Sequence, residues 1–367
     1  LNGLKKSFRL SSSKTSFLKK DDVFRSKSIS FNKTTGGVMR RTILAVFLAT
    51  FMVFFGLNPA DSKAEDAFLS IGGGPTGGTF NYFANAISIW APKQIEGLRM
   101  SSEGSGGSVE NVRRVNGGDF DFGISYAVDI GLGAKGKLPK DTTEYDKVRC
   151  IGYLYGAPAQ LVVRADSPYK SAMDLKGKRV AVGNAGSGAA TSAERFFTHI
   201  GVWDEFKPQF LGYSAAASAF KDGKIEGFWV LVGYPNASVI EAATQTDIRL
   251  IDVGVDAEKT GFYDAYAYAP TTIPAKTYTG QDEDCKTFQD STLLTTRAGM
   301  DEDMVYNITK AVWSEKGLEF MRQAHGAAKE MSLENGFKNA SRPLAKGAAR
   351  FWKEEGKEIP PELRPTD

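Results

Sequence analysis

Three glycine-rich turns, each entered from a short β-type run and left into a helical pattern, set the tightest limits on this fold. Phe68-Leu69-Ser70-Ile71 breaks at Gly72-Gly73-Gly74-Pro75-Thr76-Gly77-Gly78, and from Thr79 onward Phe83, Ala86, Ile87 and Trp90 share a helical face. Leu98-Arg99-Met100 leads into Gly104-Ser105-Gly106-Gly107, followed by Val109, Val112 and Val115 at helical spacing, with Ser108 placed to cap them. Arg179-Val180-Ala181-Val182 ends in Gly183-Asn184-Ala185-Gly186-Ser187-Gly188, and a helix is predicted from Ala189 to His199. Further strands are expected at Phe120–Ile124, Ala159–Arg164 and Phe228–Val232. Helices are expected from Asp301, with Met304, Ile308 and Val312 on one face, and from Ser341-Arg342-Pro343, with Leu344, Ala348 and Phe351. Alternating strands and helices predict an α/β protein with mainly parallel sheets.

In such sheets ligands bind beyond the carboxyl ends of the strands. Helix N-termini there offer unpaired N–H groups and partial positive charge, which suit a carboxylate or phosphate. Glycine lets the backbone come close, and the hydroxyls of Thr76, Thr79, Ser105, Ser108 and Ser187 add donors. Each turn alone is equally readable as a tight βα connection with a helix cap. Three of like chemistry favour anion binding.

Catalytic and nucleotide readings find less support. No turn ends in the Gly-Lys-Ser/Thr of a P-loop, and Gly186-Ser187-Gly188-Ala189-Ala190-Thr191 misses the third glycine of a dinucleotide fingerprint. His199 and His325 are the only histidines, and neither accompanies a nucleophile elbow. No metal-ligand spacing is present. The expectation is a binding protein without catalytic residues, metal or cofactor.

Met39-Arg40-Arg41, the apolar run Thr42–Leu57 and Ser62-Lys63-Ala64 read as a secretory signal peptide cleaved near Ala64. An uncleaved anchor is the alternative, although the run is shorter than the roughly 20 residues of a comfortable span. Residues 1–38 read as an extension upstream of Met39, either over-extended translation or a disordered basic segment. Twelve of the 46 Lys and Arg but only three of the 43 Asp and Glu precede Glu65, leaving 34 basic against 40 acidic side chains, a net −6. The basic balance therefore belongs to the leader, and nucleic-acid binding loses its support. Cys150 and Cys285 could form a bridge after export or remain buried thiols.

GGPTGGTF (73–80) and GSGGSVENVRRVNGGDFDFGIS (104–125), with LVVRADSPYKSAMDLKGKRVAVGNAGSGAAT (161–191), FWVLVGYP (228–235), TIPAKTYTGQDED (272–284) and PLAKGAARFWKEEG (343–356), resemble the TRAP-associated extracytoplasmic immunogenic (TAXI) receptors. The resemblance implies a type II periplasmic-binding-protein fold, two α/β lobes joined by hinge strands around a ligand cleft. Lobe I would span 66–158 and 267–367, and lobe II 159–266. It implies a soluble monomer in the periplasm that captures a small anionic solute, such as glutamate or 2-oxoglutarate, and delivers it to a fused TRAP-type permease. Carried over by position, Thr76, Gly77, Gly78 and Thr79 form one binding turn and Ser105, Gly106, Gly107 and Ser108 its neighbour. Ser125 and Tyr126 line the cleft, faced by Gly186, Ser187, Gly188, Gly233, Tyr234 and Pro235. Ala189 and Phe80 stand where the family often has Thr and Tyr, and Tyr82 is placed to compensate for the second. An ABC-importer binding protein and a periplasmic sensory receptor share this fold and remain alternatives.

Overall fold

The computed structural model describes residues 66–366; the leader expected at 1–64 lies outside them. Chain order begins β1 (Ala67–Gly72), α1 (Thr79–Gln94), β2 (Leu98–Glu103), α2 (Ser108–Gly117), β3 (Phe122–Tyr126) and α3 (Ala127–Gly133). β4 (Val148–Arg164) follows and leads to β5 (Arg179–Ala181), α4 (Gly188–His199), β6 (Lys207–Gln209), α5 (Tyr213–Lys221) and β7 (Gly227–Leu231). Next come α6 (Ala237–Ala243), β8 (Ile248–Ile251), α7 (Val253–Thr260), α8 (Phe262–Ala265) and β9 (Ala269–Ile273). The chain closes with β10 (Cys285–Arg297), α9 (Glu302–Trp313), α10 (Glu315–Ala324) and α11 (Lys346–Glu354).

The architecture is α/β, in two halves. β1, β2, β3 and β10 gather on one side of β4, and β7, β5 and β6 on the other, in the order β2-β1-β3-β10-β4-β7-β5-β6. β4 belongs to both halves. Its first stretch, Val148–Pro158, pairs with β10, and Ala159–Val163 pairs with β7. Sixteen of its 17 residues are buried, which explains why its sequence lacks the alternation of a half-exposed strand. The segment expected as a short strand at Ala159–Arg164 is the far end of this long one.

The pairing corrects the expectation of mainly parallel sheets. β1–β2, β1–β3, β5–β6 and β5–β7 are parallel, whereas β3–β10, β4–β10, β9–β10, β4–β7 and β4–β8 are antiparallel. The cause is topological: β4 carries the chain out of the first half and β10 brings it back, so the two lie antiparallel. Local periodicity cannot report that.

Helix starts differ from expectation in two places. Gly107, not Ser108, is the N-cap of α2, and the Ser108 hydroxyl instead accepts the Tyr126 N–H at 2.9 Å. α11 begins at Lys346 rather than near Ser341, because the preceding segment is tied elsewhere. Leu344 donates to the Leu363 carbonyl, and the Ser341 hydroxyl to that of Ala127. Cys150 and Cys285 are free buried thiols. Burial pushes the Cys150 thiol up to about 11 and raises that of Cys285 as well. No helix among the described residues is long and apolar enough to cross a membrane.

Candidate ligand-binding site

The glycine turns do converge. A cavity of about 20 Å³ lies between the two halves, large enough for about one water. Thr79, Ser108, Gly188 and Tyr213, the first residues of α1, α2, α4 and α5, all line it. Two of these helices belong to each half. The N-caps of α1, α2 and α5 are Gly78, Gly107 and Gly212, and no side chain caps any of the three. α4 differs, since the Ser187 hydroxyl accepts the Ala190 N–H at 3.0 Å. A glycine cap leaves the first-turn N–H groups without a side-chain acceptor, so the partial positive charge of the helix end stays available. The remaining wall is Pro75, Phe80, Gly106, Tyr126, Asn184, Ala189 and Val232, and no lining residue is charged.

Closure depends on glycine at one position above all. A Cβ on Gly188 would sit 2.6 Å from Asp129 Oδ2 and Tyr126 Cδ2 and 2.7 Å from Ser108 Cβ. The halves approach too closely here for any side chain. Within the first half, Ser105 joins the two turns by donating to the Gly73 carbonyl at 3.1 Å and accepting from Gly107 N. Gly77 extends the contact between halves, since its carbonyl accepts Asn236 Nδ2 at 3.1 Å.

Of the residues expected at the site, Gly78, Thr79, Gly106, Gly107, Ser108, Tyr126, Ser187 and Gly188 line the cavity. Thr76, Gly77 and Ser105 lie in the same turns but off its wall, as does Gly186, whose φ of +73° shapes the third turn. Ser125 is buried behind the wall, donating to the Ser108 carbonyl at 3.3 Å. Tyr82 points elsewhere: it is 40% exposed and its ring packs against His325. Gly233, Tyr234 and Pro235 also lie away from the cavity, with Gly233 against Ala327 and the Tyr155 ring, and Lys329 over the Tyr234 ring. Sequence reading missed Gly212 and Tyr213. Their turn carries a single glycine, and only its position between β6 and α5 signals a fourth βα connection.

Behind Gly188 the halves are joined by charge. Asp129, in the first turn of α3, accepts from Arg195 of α4 at 2.8 Å, and both side chains are buried. Arg195 also donates to the Tyr268 hydroxyl at 3.0 Å. Burial opposes the Arg195 charge, but Tyr268 and Asp129 outweigh it and hold the guanidinium proton more firmly than usual. Asp290 of β10 lies close by, accepting from Ser291 N and Val128 N. Burial first, and then the Asp129 charge, pushes its carboxyl well above the usual carboxylate range. One arginine thus faces one carboxylate and one carboxylic acid, a neutral set. The histidines serve the backbone: His325 Nδ1 accepts from Ala327 N, and His199 Nε2 bonds the Thr260 carbonyl.

Residues 71–356 match the model of the NMT1-like family. The chain belongs to the NMT1-like family. Solved structures of similar shape include MatC from Rhodopseudomonas palustris with bound malate, 16% identical, covering 79% of this chain and 96% of that one at a TM-score of 0.49. The periplasmic aliphatic sulphonate binding protein SsuA from Escherichia coli is 14% identical, covering 78% and 90% at 0.42. The SsuA protein from Xanthomonas axonopodis bound to MOPS is 16% identical, covering 80% and 92% at 0.43. In this NMT1-like chain, the matched span takes in all three glycine turns and both partners of the buried ion pair.

Proposed function

We propose that this protein is an extracytoplasmic solute-binding receptor that captures a small carboxylate between its halves and hands it to a membrane permease. The observation that carries this reading is the convergence of three glycine-capped helix N-termini, from both halves, on one uncharged cavity. Such ends stabilise an anion without a basic side chain. A cavity of about 20 Å³ is too small for any organic acid, so capture requires the halves to part and reclose. Closure around a ligand is a hinge motion, with β4 and the β9–β10 return as the connecting strands. We place lobe I at 66–158 and 267–367 and lobe II at 159–266. The TAXI-type motifs at 73–80 and 104–125 support delivery to a fused TRAP-type permease.

The test is a melting screen of dicarboxylates, oxoacids and amino acids. A true ligand at a hundredfold excess over its dissociation constant adds about 2.7 kcal/mol of stability. A screen in which no small anion shifts the melt overturns the reading. Uptake through a co-expressed candidate permease that is abolished by collapsing the ion gradient supports TRAP-type delivery, whereas dependence on an ATPase subunit would assign an ABC importer.

A further inference from the structure

Three hydroxyls behind the cavity wall have no partner. Thr79 Oγ1, Tyr155 Oη and Thr292 Oγ1 come from α1, β4 and β10, and all three residues are buried. The Tyr155 hydroxyl neighbours both threonine side chains, yet none of the three oxygens is in hydrogen-bond geometry. Buried hydroxyls are costly to leave unpaired, and native proteins keep few of them. Three together, contributed by separate elements, form a polar subsite awaiting a partner.

That subsite adjoins the cavity. Thr79 lines it directly, and Thr292 is paired across the strands with the wall residue Tyr126 on one side and with Tyr155 on the other. Phe83 packs on the Tyr155 ring at 4.8 Å, and Gly233 leaves that ring room on its other edge. Burial raises the Tyr155 phenol well above its ordinary range, so it remains a neutral donor. The tyrosines of the wall are already engaged, since Tyr126 and Tyr213 both donate to the Leu231 carbonyl. The free hydroxyls are therefore those of Thr79, Tyr155 and Thr292.

Resting on the receptor reading above, we propose that Thr79, Tyr155 and Thr292 form a specificity subsite for an oxygen carried beside the ligand's carboxylate, as in a small 2-oxo or 2-hydroxy acid. A carboxylate on the first-turn N–H groups of α1 brings its neighbouring carbon towards the Thr79 side chain. Hydroxyls both donate and accept, so they serve either a carbonyl or an alcohol. An ammonium at that position is disfavoured: it would face four helix N-termini, with no acidic side chain among the cavity-lining residues to offset its charge.

Calorimetric titration of matched acids differing only at C2 tests this: pyruvate and lactate against propionate, and 2-oxoglutarate and 2-hydroxyglutarate against glutarate. In whichever series binds, the oxygenated acid should bind about tenfold or more tightly than its deoxy analogue. Tyr155→Phe and Thr292→Val should each reduce that advantage to about threefold or less while leaving the deoxy acid's affinity unchanged. Because each deletes an unpaired buried hydroxyl, neither should lower the melting temperature of the unliganded protein. Equal loss for both acids, or a lowered unliganded melt with selectivity intact, overturns the subsite. Wild-type protein that binds the deoxy acid equally well overturns the subsite alone. Wild-type protein that binds no acid of either series overturns the receptor reading and the subsite with it.

Discussion

The cavity wall and the joint behind it lie next to each other and are built from opposite materials. The wall is neutral, with glycine caps and helix ends supplying its polarity. The joint is ionic, and Asp129, Arg195 and Tyr268 spend their hydrogen bonds on one another across the halves. Formal charge holds the halves together, while backbone dipoles are left for what enters between them. A fixed dipole also needs no counter-ion when the site is empty, which a buried lysine in the wall would.

The harshest way to break this division is to remove one charge. Arg195→Met leaves Asp129 buried and uncompensated, and unfolding titrations should show a loss of about 3–5 kcal/mol. Pairing it with Asp129→Leu should recover most of that loss, since a well-packed apolar pair can replace an ion pair at little cost. Without recovery, the joint does more than balance charge.

Crowding the contact between wall and joint should act on binding rather than on folding. Gly188→Ala places a methyl 2.6 Å from Asp129 Oδ2 and the Tyr126 ring, which holds the closed halves apart. Ligand affinity should fall about a hundredfold, about 2.7 kcal/mol, in a calorimetric titration.

The protonation of Asp290 sharpens the electrostatic side. Its carboxyl is raised in the folded state, so its contribution is fully present below the unfolded value near 3.9 and is lost as pH rises towards the folded one. In that window the wild type should lose up to about 1.4 kcal/mol per pH unit relative to Asp290→Asn. Denaturation of both proteins at several pH values reads the difference, and parallel curves would place the proton elsewhere.

The smallest effect belongs to the one capped helix. Ser187→Ala removes the bond to Ala190 N and should cost about 1 kcal/mol in stability. It also leaves α4 uncapped like its three companions, so anion affinity should hold or rise. A large affinity loss would instead make the Ser187 hydroxyl a ligand contact.

Much of this was legible in the residues. The turn from Gly72 to Gly78, the turn from Gly104 to Gly107 and the turn from Gly183 to Gly188 were visible because glycine clusters between a β-type run and a helical face are local signals. The fourth, at Gly212-Tyr213, carries one glycine and passed unnoticed. Tyr82 and Tyr234 were plausible by neighbourhood in sequence, but helix rotation and the path after β7 turn them away from the cavity. Tyr155 and Thr292 had no signal, because a hydroxyl in a fully buried strand looks like any other strand residue until its partners can be counted.

By itself the sequence determined the α/β class, the three main turns and the anionic preference of their helix ends, since each follows from spacing within a dozen residues. Tertiary structure decided the rest. The antiparallel β4–β10 return, the meeting of Asp129 with Arg195 and the unpaired hydroxyls of Thr79, Tyr155 and Thr292 join residues 66 to 213 positions apart. Such contacts arise from how the halves fold back on each other, and no local pattern encodes that distance.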